Sequence, residues 1–392
     1  MRFLIAALLG SLLTLQAQDP ETAGGFDHFY NLEYADAIAA FRRAADQQPD
    51  NPNRQNYLAL AILYDEMFRT GALESEMVTG ANAFLRRPKM NPTPEDQRAF
   101  DNAVAKAMAL ARARLDKNPS DTTALYALGV SHGLRSGYNW LVRKAWFDSL
   151  RDATEARKLH NRVTEIDPSF TDARLVQGLH DYIVGSLPLM YRLVGSLVGF
   201  HGDREGGIKT LRKVAAEGRF DRVDAEIHLA VIYRRERRPA EAIPLLQSLI
   251  ARFPRNFLFR FELAQMYADL GRGDLALAAV GKIEALKAAG AAGYQRVSPE
   301  KIYYSRGNIQ FWYRDYDQAL ENLQRVAAHA QDLDLNTGVM AWLRLGQIYD
   351  VKGIRPKALE AYRQAIAYAP KSDAAREARQ YLSTPYRRRS QS

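Results

Sequence analysis

Toward the C-terminus the chain reads MAWLRLGQIYDVKGIRPKALEAYRQAIAYAP. Trp342, Leu345 and Tyr349 recur at the three-and-four spacing of one helix face, and Ala358, Tyr362 and Ala365 repeat that spacing after a short polar break. Gly346 and Ala358 are small where two antiparallel helices must approach closely, and the large residues fill the gap beside them. Pro370 stops the second helix, because proline has no amide donor and clashes with the preceding turn. The pattern therefore predicts a helix pair. The same offsets return upstream: Leu229, Ala230, Tyr233, Ala242, Leu246, Leu249 and Pro254 form one pair, and 34 residues later Leu263, Ala264, Tyr267, Ala276, Val280 and Ile283 form the next. A looser copy carries Tyr303, Gly307, Ala319 and Leu323, and second helices with terminal prolines stand at Ala37, Phe41, Ala44, Pro49 and at Ala107, Ala111, Arg114, Pro119.

The terminal prolines also locate extra length. Pro49 to Pro119 is 70 residues, close to two repeats, whereas Pro119 to Pro168 is 49, and the surplus falls around SGYNWLVRKAWFDSL. Pro168 to Pro254 is 86, with a surplus that coincides with the apolar stretch Ile183 to Phe200. Pro254 to Pro370 is 116, absorbed by AAGAAGYQRVSP and by the QDLDLNTG loop.

The eight matched offsets of the last copy resemble the tetratricopeptide (TPR) repeat. The resemblance implies an all-α fold, a TPR superhelical solenoid of antiparallel helix pairs with about eight units, because a lone pair cannot bury its apolar faces and must stack on neighbours. Insertions are expected near 135–150 and 183–200. The expected organisation is one elongated array: a leader at 1–18, degenerate units over 19–120, middle TPR-like units over 121–222, a C-terminal array over 223–382 and a basic, flexible tail over 383–392.

The leader reads MRFLIAALLGSLLTLQAQ, with one arginine, an apolar run from Phe3 to Leu15 and the small Ala17 at a cleavage position. The 13-residue run is short of the ~20 that cross a bilayer as a helix, so a cleaved signal peptide is expected. The chain has no cysteine, which removes disulfides, thiolate metal sites, cysteine nucleophiles and lipid attachment through an N-terminal Cys. Export without cysteine fits a bacterial periplasm or exterior, so the protein is expected to be periplasmic or secreted. A net charge of +9 spread over 392 residues permits acidic partners without demanding them.

Little in the sequence points to chemistry. The seven histidines, at 28, 132, 160, 180, 201, 228 and 329, show no HExxH or similar metal spacing, and no GxSxG nucleophile motif is present. GRGDLA lacks the strand that a dinucleotide fingerprint needs, and GFHGDREGG has glycines at neither P-loop nor dinucleotide spacing. No cofactor, metal or catalytic residue is expected, and a non-catalytic interaction scaffold is the reading.

In the TPR family the ligand face lies on the first helix of each pair, at its second, fifth, ninth, twelfth and thirteenth positions. The resemblance therefore implies a partner-binding face that includes Arg234, Arg235, Phe261, Gln265, Lys301, Tyr304, Asn308, Phe311, Trp312, Leu343 and Gln347. Aromatic residues beside arginine and asparagine are the types that anchor protein partners, although Phe311 and Trp312 also suit packing between repeats. Lys301 and Asn308 stand at two places of the clamp with which chaperone-binding members hold a C-terminal carboxylate. Tyr304 stands where that clamp needs lysine, so a protein segment lying along the groove is the expected partner. The alternative is a peripheral membrane or lipid-associated adaptor using residues 183–200, where Arg192 and Pro188 disfavour a spanning helix. The basic clusters RRERRP and Arg387 to Arg389 lack the continuous basic, aromatic face that nucleic acid requires.

Overall fold

The computed structural model describes residues 19–73, 90–187, 202–330, 333 and 335–388. The leader and the stretch 188–200 thus lie outside the described residues. Among the described residues there are seventeen α-helices and no strand. They divide into two compact units, one of residues up to Glu66 with Lys89–Ile166 and one of Met67–Pro88 with Asp167–Ser392. The second unit thus takes in residues 67–88 as well as everything from Asp167 onward.

The first unit holds α1 (Pro20–Tyr30), α2 (Tyr34–Gln47), most of α3 (Pro52–Arg69), α4 (Pro94–Lys117), α5 (Thr122–Tyr138) and α6 (Trp146–Ile166). Its helices begin where the sequence supplies acceptors for their first amides: Asp19 accepts from the Thr22 N–H, Thr93 from Asp96 and Asp121 from Ala124. The α1–α2 pair closes over Gly25, where a Cβ would lie 2.6 Å from Cδ1 of the buried Phe41 ring. Asn56 of α3 donates to the Ala127 carbonyl (2.8 Å) and accepts from Ser131 (2.7 Å), which fixes α3 on α5. The extra length expected near 135–150 is a π-helical turn at Asn139–Arg143 followed by Lys144 in the left-handed region, φ 57°. Beneath it Asp152 is buried and accepts from Arg135 (2.6 and 2.8 Å) and Asn139 (3.2 Å), with His132 Nδ1 at 2.9 Å. Burial alone raises the Asp152 pKa, but the hydrogen bonds from Arg135 and His132 outweigh it and hold the carboxyl below the usual range.

The second unit follows with α7 (Arg174–Gly185), α8 (Arg204–Glu217), α9 (Arg222–Arg235), α10 (Pro239–Arg252), α11 (Phe257–Asp269), α12 (Gly273–Ala288), α13 (Pro299–Trp312), α14 (Tyr316–Ala328), α15 (Leu335–Val351), α16 (Arg355–Tyr368) and α17 (Asp373–Ser383). Consecutive helices pack as pairs, α7 with α8 through α15 with α16, and α17 covers the end of the stack. The first helices also touch one another, α11 with α13 and α13 with α15, so they share one inner face. Each predicted small residue sits at a close approach: a Cβ on Gly346 would lie 2.5 Å from Cδ1 of Tyr362. The turns inside the last four pairs reverse through one residue of positive φ each, Arg237 at 55°, Gly271 at 84°, Arg314 at 67° and Gly353 at 73°. The inserted loop before α13 is pinned by buried Tyr294, whose hydroxyl donates to the Pro254 carbonyl (3.1 Å) and accepts from Arg260 (2.5 Å).

The composition of residues 383–392 predicts a loose tail. Within it, residues 385–388 lie against α13 and α15: the Tyr386 N–H donates to Asp350 (2.7 Å) and Arg388 donates to the Phe311 (2.9 Å) and Trp312 (2.5 Å) carbonyls. Those carbonyls belong to the last turn of α13; the Phe311 carbonyl also accepts from the Arg314 N–H (3.2 Å), and the negative end of the helix attracts a cation.

Candidate partner-binding groove

The inner face of α9, α11 and α13 lines an open hollow whose cavity volume is about 60 Å³. Six of the eleven expected contact residues line it: Arg234, Phe261, Gln265, Lys301, Tyr304 and Asn308. Helix periodicity explains the convergence. Lys301, Tyr304 and Asn308 are three and four apart on α13, Phe261 and Gln265 are four apart on α11, and neighbouring first helices present matching stripes. Leu73, Leu258, Glu262, Ser305 and Thr337 complete the wall.

The charges there are partly spent on one another. Arg234 makes a bidentate pair with Glu262 (2.7 Å to each oxygen), and Gln265 donates to Asp269 (2.7 Å). The Lys301 ammonium stands 5.8 Å from the centroid of the Phe261 ring, in cation–π range. Asn308 is orientated from behind by Arg344, whose Nε donates to Asn308 Oδ1 (3.1 Å). With its carbonyl oxygen so engaged, Asn308 offers amide donors to the hollow, next to a lysine and an arginine.

The remaining expected residues fall elsewhere. Phe311, Leu343 and Gln347 lie outside the hollow and are almost wholly enclosed (0–1% exposed), whereas Tyr304 (7%) and Asn308 (9%), though buried, still line it. Phe311 lies under the Arg344 guanidinium (4.7 Å) and against Tyr316 and Tyr386, and Leu343 belongs to the core that α13 to α17 share. Gln347 accepts from Arg344 (2.7 Å) and donates to Glu377 (2.9 Å). The seam between successive first helices consumes these positions. Trp312 is 47% exposed and stacks with Arg344 (4.8 Å), at the helix ends that carry the tail. Arg235 is exposed and lies over the Tyr182 ring (5.7 Å), outside the hollow.

Arg344 is the residue that sequence reasoning missed. It lies between two family ligand positions, and only the three-dimensional sandwich with Phe311 and Trp312 reveals its part. Burial lowers its pKa, countered by the nearby tyrosines and Glu377, and the guanidinium remains a cation. Leu73 was equally hidden, because it lies outside every repeat motif.

Among the described residues the histidines show no common site. His28 pairs with Glu33 (2.7 Å), His132 joins the buried Asp152 network, and burial pushes His228 down to about 4. Among the described residues His28, Glu33 and Asp36 form the one group whose ligand atoms lie close enough together, within 4.8 Å, to surround a metal ion.

An inner face built from stacked first helices, carrying aromatic, amide and basic side chains, defines a helix-pair scaffold for protein interaction. Family models of the tetratricopeptide repeat match residues 227–293 and 340–372, so those two stretches carry tetratricopeptide repeats. No curated protein matches its sequence significantly. Similar solved structures include yeast Tom70, at 12% identity over 93% of this chain and 87% of that one, with a TM-score of 0.41. YrrB, described as a TPR protein with an unusual peptide-binding site, is 16% identical over 69% of this chain and 97% of its own, with a TM-score of 0.32. The human IFIT1 dimer with m7Gppp-AAAA is 13% identical over 92% and 79%, with a TM-score of 0.46.

Proposed function

We propose that this protein is a non-catalytic adaptor of the bacterial periplasm or cell exterior that holds an extended segment of a protein partner along the inner face of α9, α11 and α13. The observation that carries this reading is the convergence of Lys301, Asn308, Tyr304 and Phe261 on one open hollow, with Asn308 held by Arg344 so that its donors face inward. Donors beside two aromatic rings suit a segment with backbone carbonyls or acidic side chains and an apolar anchor. The leader of residues 1–18 supports the compartment.

The test is in-cell crosslinking of the tagged protein in its native host, with mass spectrometry of the linked peptides. Recurrent links from one partner to α11 and α13, reduced at least about tenfold by Lys301→Glu with Asn308→Ala, support the reading, since two lost contacts of ~1 kcal/mol each reach that factor. Partner links that ignore the double substitution refute it.

A peripheral membrane role is the second reading, favoured by the exposed apolar side chains of Ile183 and Leu187 at the end of α7. No helix among the described residues is long and apolar enough to cross a membrane. Liposome flotation that fails with Ile183→Asp and Leu187→Asp would favour surface contact; flotation that is absent or unchanged would exclude these residues from it.

A further inference from the structure

The segment after α17 is extended and alternates: Tyr386 and Arg388 turn inward while Pro385 and Arg387 are exposed, the two-residue period of an extended chain. Each inward residue meets a built partner. The Asp350 carboxylate that accepts the Tyr386 N–H is itself held by Arg355 (2.9 and 3.0 Å) and by the Tyr362 hydroxyl (2.8 Å). The Tyr386 ring lies 6.2 Å from Phe311 and 5.3 Å from Tyr381. The Arg388 guanidinium reaches the two last-turn carbonyls of α13 and the face of Trp312 (5.5 Å). One carboxylate acceptor for a backbone N–H, one aromatic slot and one cation seat stand in a row at the C-terminal ends of α13 and α15.

We propose that this row is a second recognition surface, a receptor for an extended protein segment that presents an aromatic residue and, two residues later, an arginine, and that the chain's own Tyr386 and Arg388 fill it in cis. That a partner then uses the surface in trans rests on the groove reading above; the receptor itself does not. The chemistry differs from that of the hollow, which offers donors, because helix-end carbonyls and Asp350 select a cation and an N–H. A tethered segment acts at an effective concentration near the millimolar range, so a free segment of ~100 μM affinity is weakened about tenfold by the resident tail.

The experiment is fluorescence anisotropy with a labelled peptide of residues 383–388, amidated at its C-terminus, against the full chain and against a chain ending at Ser383. Saturable binding to the shortened chain, at least about tenfold weaker binding to the full chain, and loss of binding for peptides carrying Tyr386→Ala or Arg388→Ala are the expected results. Equal binding to both chains, or none to a shortened chain whose circular dichroism is native, overturns the proposal. If the shortened chain does not fold, the full chain with Tyr386→Ala and Arg388→Ala takes its place, and binding must rise to the same extent. Peptide binding without crosslinks at Lys301 would keep this receptor and remove the groove reading; crosslinks at Lys301 without peptide binding would do the reverse.

Discussion

Replacing Gly346 by alanine tests whether the close approach of α15 and α16 is the contact that the repeat pattern encodes. The new Cβ would stand 2.5 Å from Cδ1 and 2.8 Å from Cζ of Tyr362, and closer still to Cε1. Carbon atoms rest at about 3.5–4.0 Å, so the ring must retreat by about 1 Å. It has nowhere to go: Tyr362 is fully buried, packed against Tyr381 (5.4 Å) and anchored through its hydroxyl to Asp350. Overpacking of this kind costs about 1–3 kcal/mol. Stretching a hydrogen bond to a carboxylate costs up to about 1.5–3 kcal/mol more. The gain in helix propensity on leaving glycine is only about 1 kcal/mol. Overpacking and the strained bond win, and the net loss is about 2–4 kcal/mol.

The control is Gly281→Ala, the same chemical change inside α12, where nothing beyond the helix's own local backbone lies within 4 Å of the added Cβ. There the propensity term acts alone and the variant should gain up to about 1 kcal/mol. Because repeat arrays need not unfold all-or-none, urea unfolding of the full chain should be joined to hydrogen exchange of peptides from α15 and α16. Protection there should fall by roughly 30- to 1,000-fold with Gly346→Ala. A Gly346→Ala chain as stable as the parent, or one that follows the Gly281→Ala control, would sink the argument.

Two further outcomes follow from the first unit and from the turns. Asp152→Asn should destabilise the first unit by about 2–3 kcal/mol, because it leaves Arg135 and the buried His132 without their carboxylate, and hydrogen exchange over α5 and α6 would register it. Since the folded pKa of Asp152 is depressed, its contribution is present above the unfolded value of about 3.9 and is lost as pH falls through the lower folded value; midpoints measured between pH 2 and 5 should fall less steeply in the variant. Arg237→Gly should stabilise the chain by about 0.5–1 kcal/mol, because arginine at φ 55° bears a steric cost that glycine does not, and an unchanged or lowered urea midpoint would count against it.

The helix pairs were legible because their determinants are local. Gly346 against Tyr362, Ala358 in the same core and Gly353 in the left-handed turn between them are fixed by spacing along one or two helices. The six residues around the hollow were legible for the same reason, since a stripe at three-and-four spacing keeps its direction whatever lies beyond it. What spacing does not carry is the identity of the neighbour. Phe311 and Leu343 occupy ligand positions of the repeat, yet the next first helix and the tail reach them before any partner can.

That competition also explains where the free surface lies. Along α9, α11 and α13 the inner positions carry Phe261, Lys301 and Tyr304 beside paired polar groups such as Glu262 locked to Arg234, and the helices leave an open hollow between them. From α13 to α15 the same positions carry Phe311 and Leu343, and the neighbouring cation Arg344 stacks on Phe311 and bonds Gln347, so that the seam is shut and Gln347 is buried with it. Closing the seam leaves the α13 carbonyls at its rim as acceptors, and a tail written as alternating Pro, Tyr, Arg, Arg answers them with a cation and a ring. One unit therefore offers two unlike surfaces on adjacent first helices, a donor-rich hollow and an acceptor-rich rim, and the residue that separates them is Arg344, which turns Asn308 toward the first and stacks on Trp312 at the second.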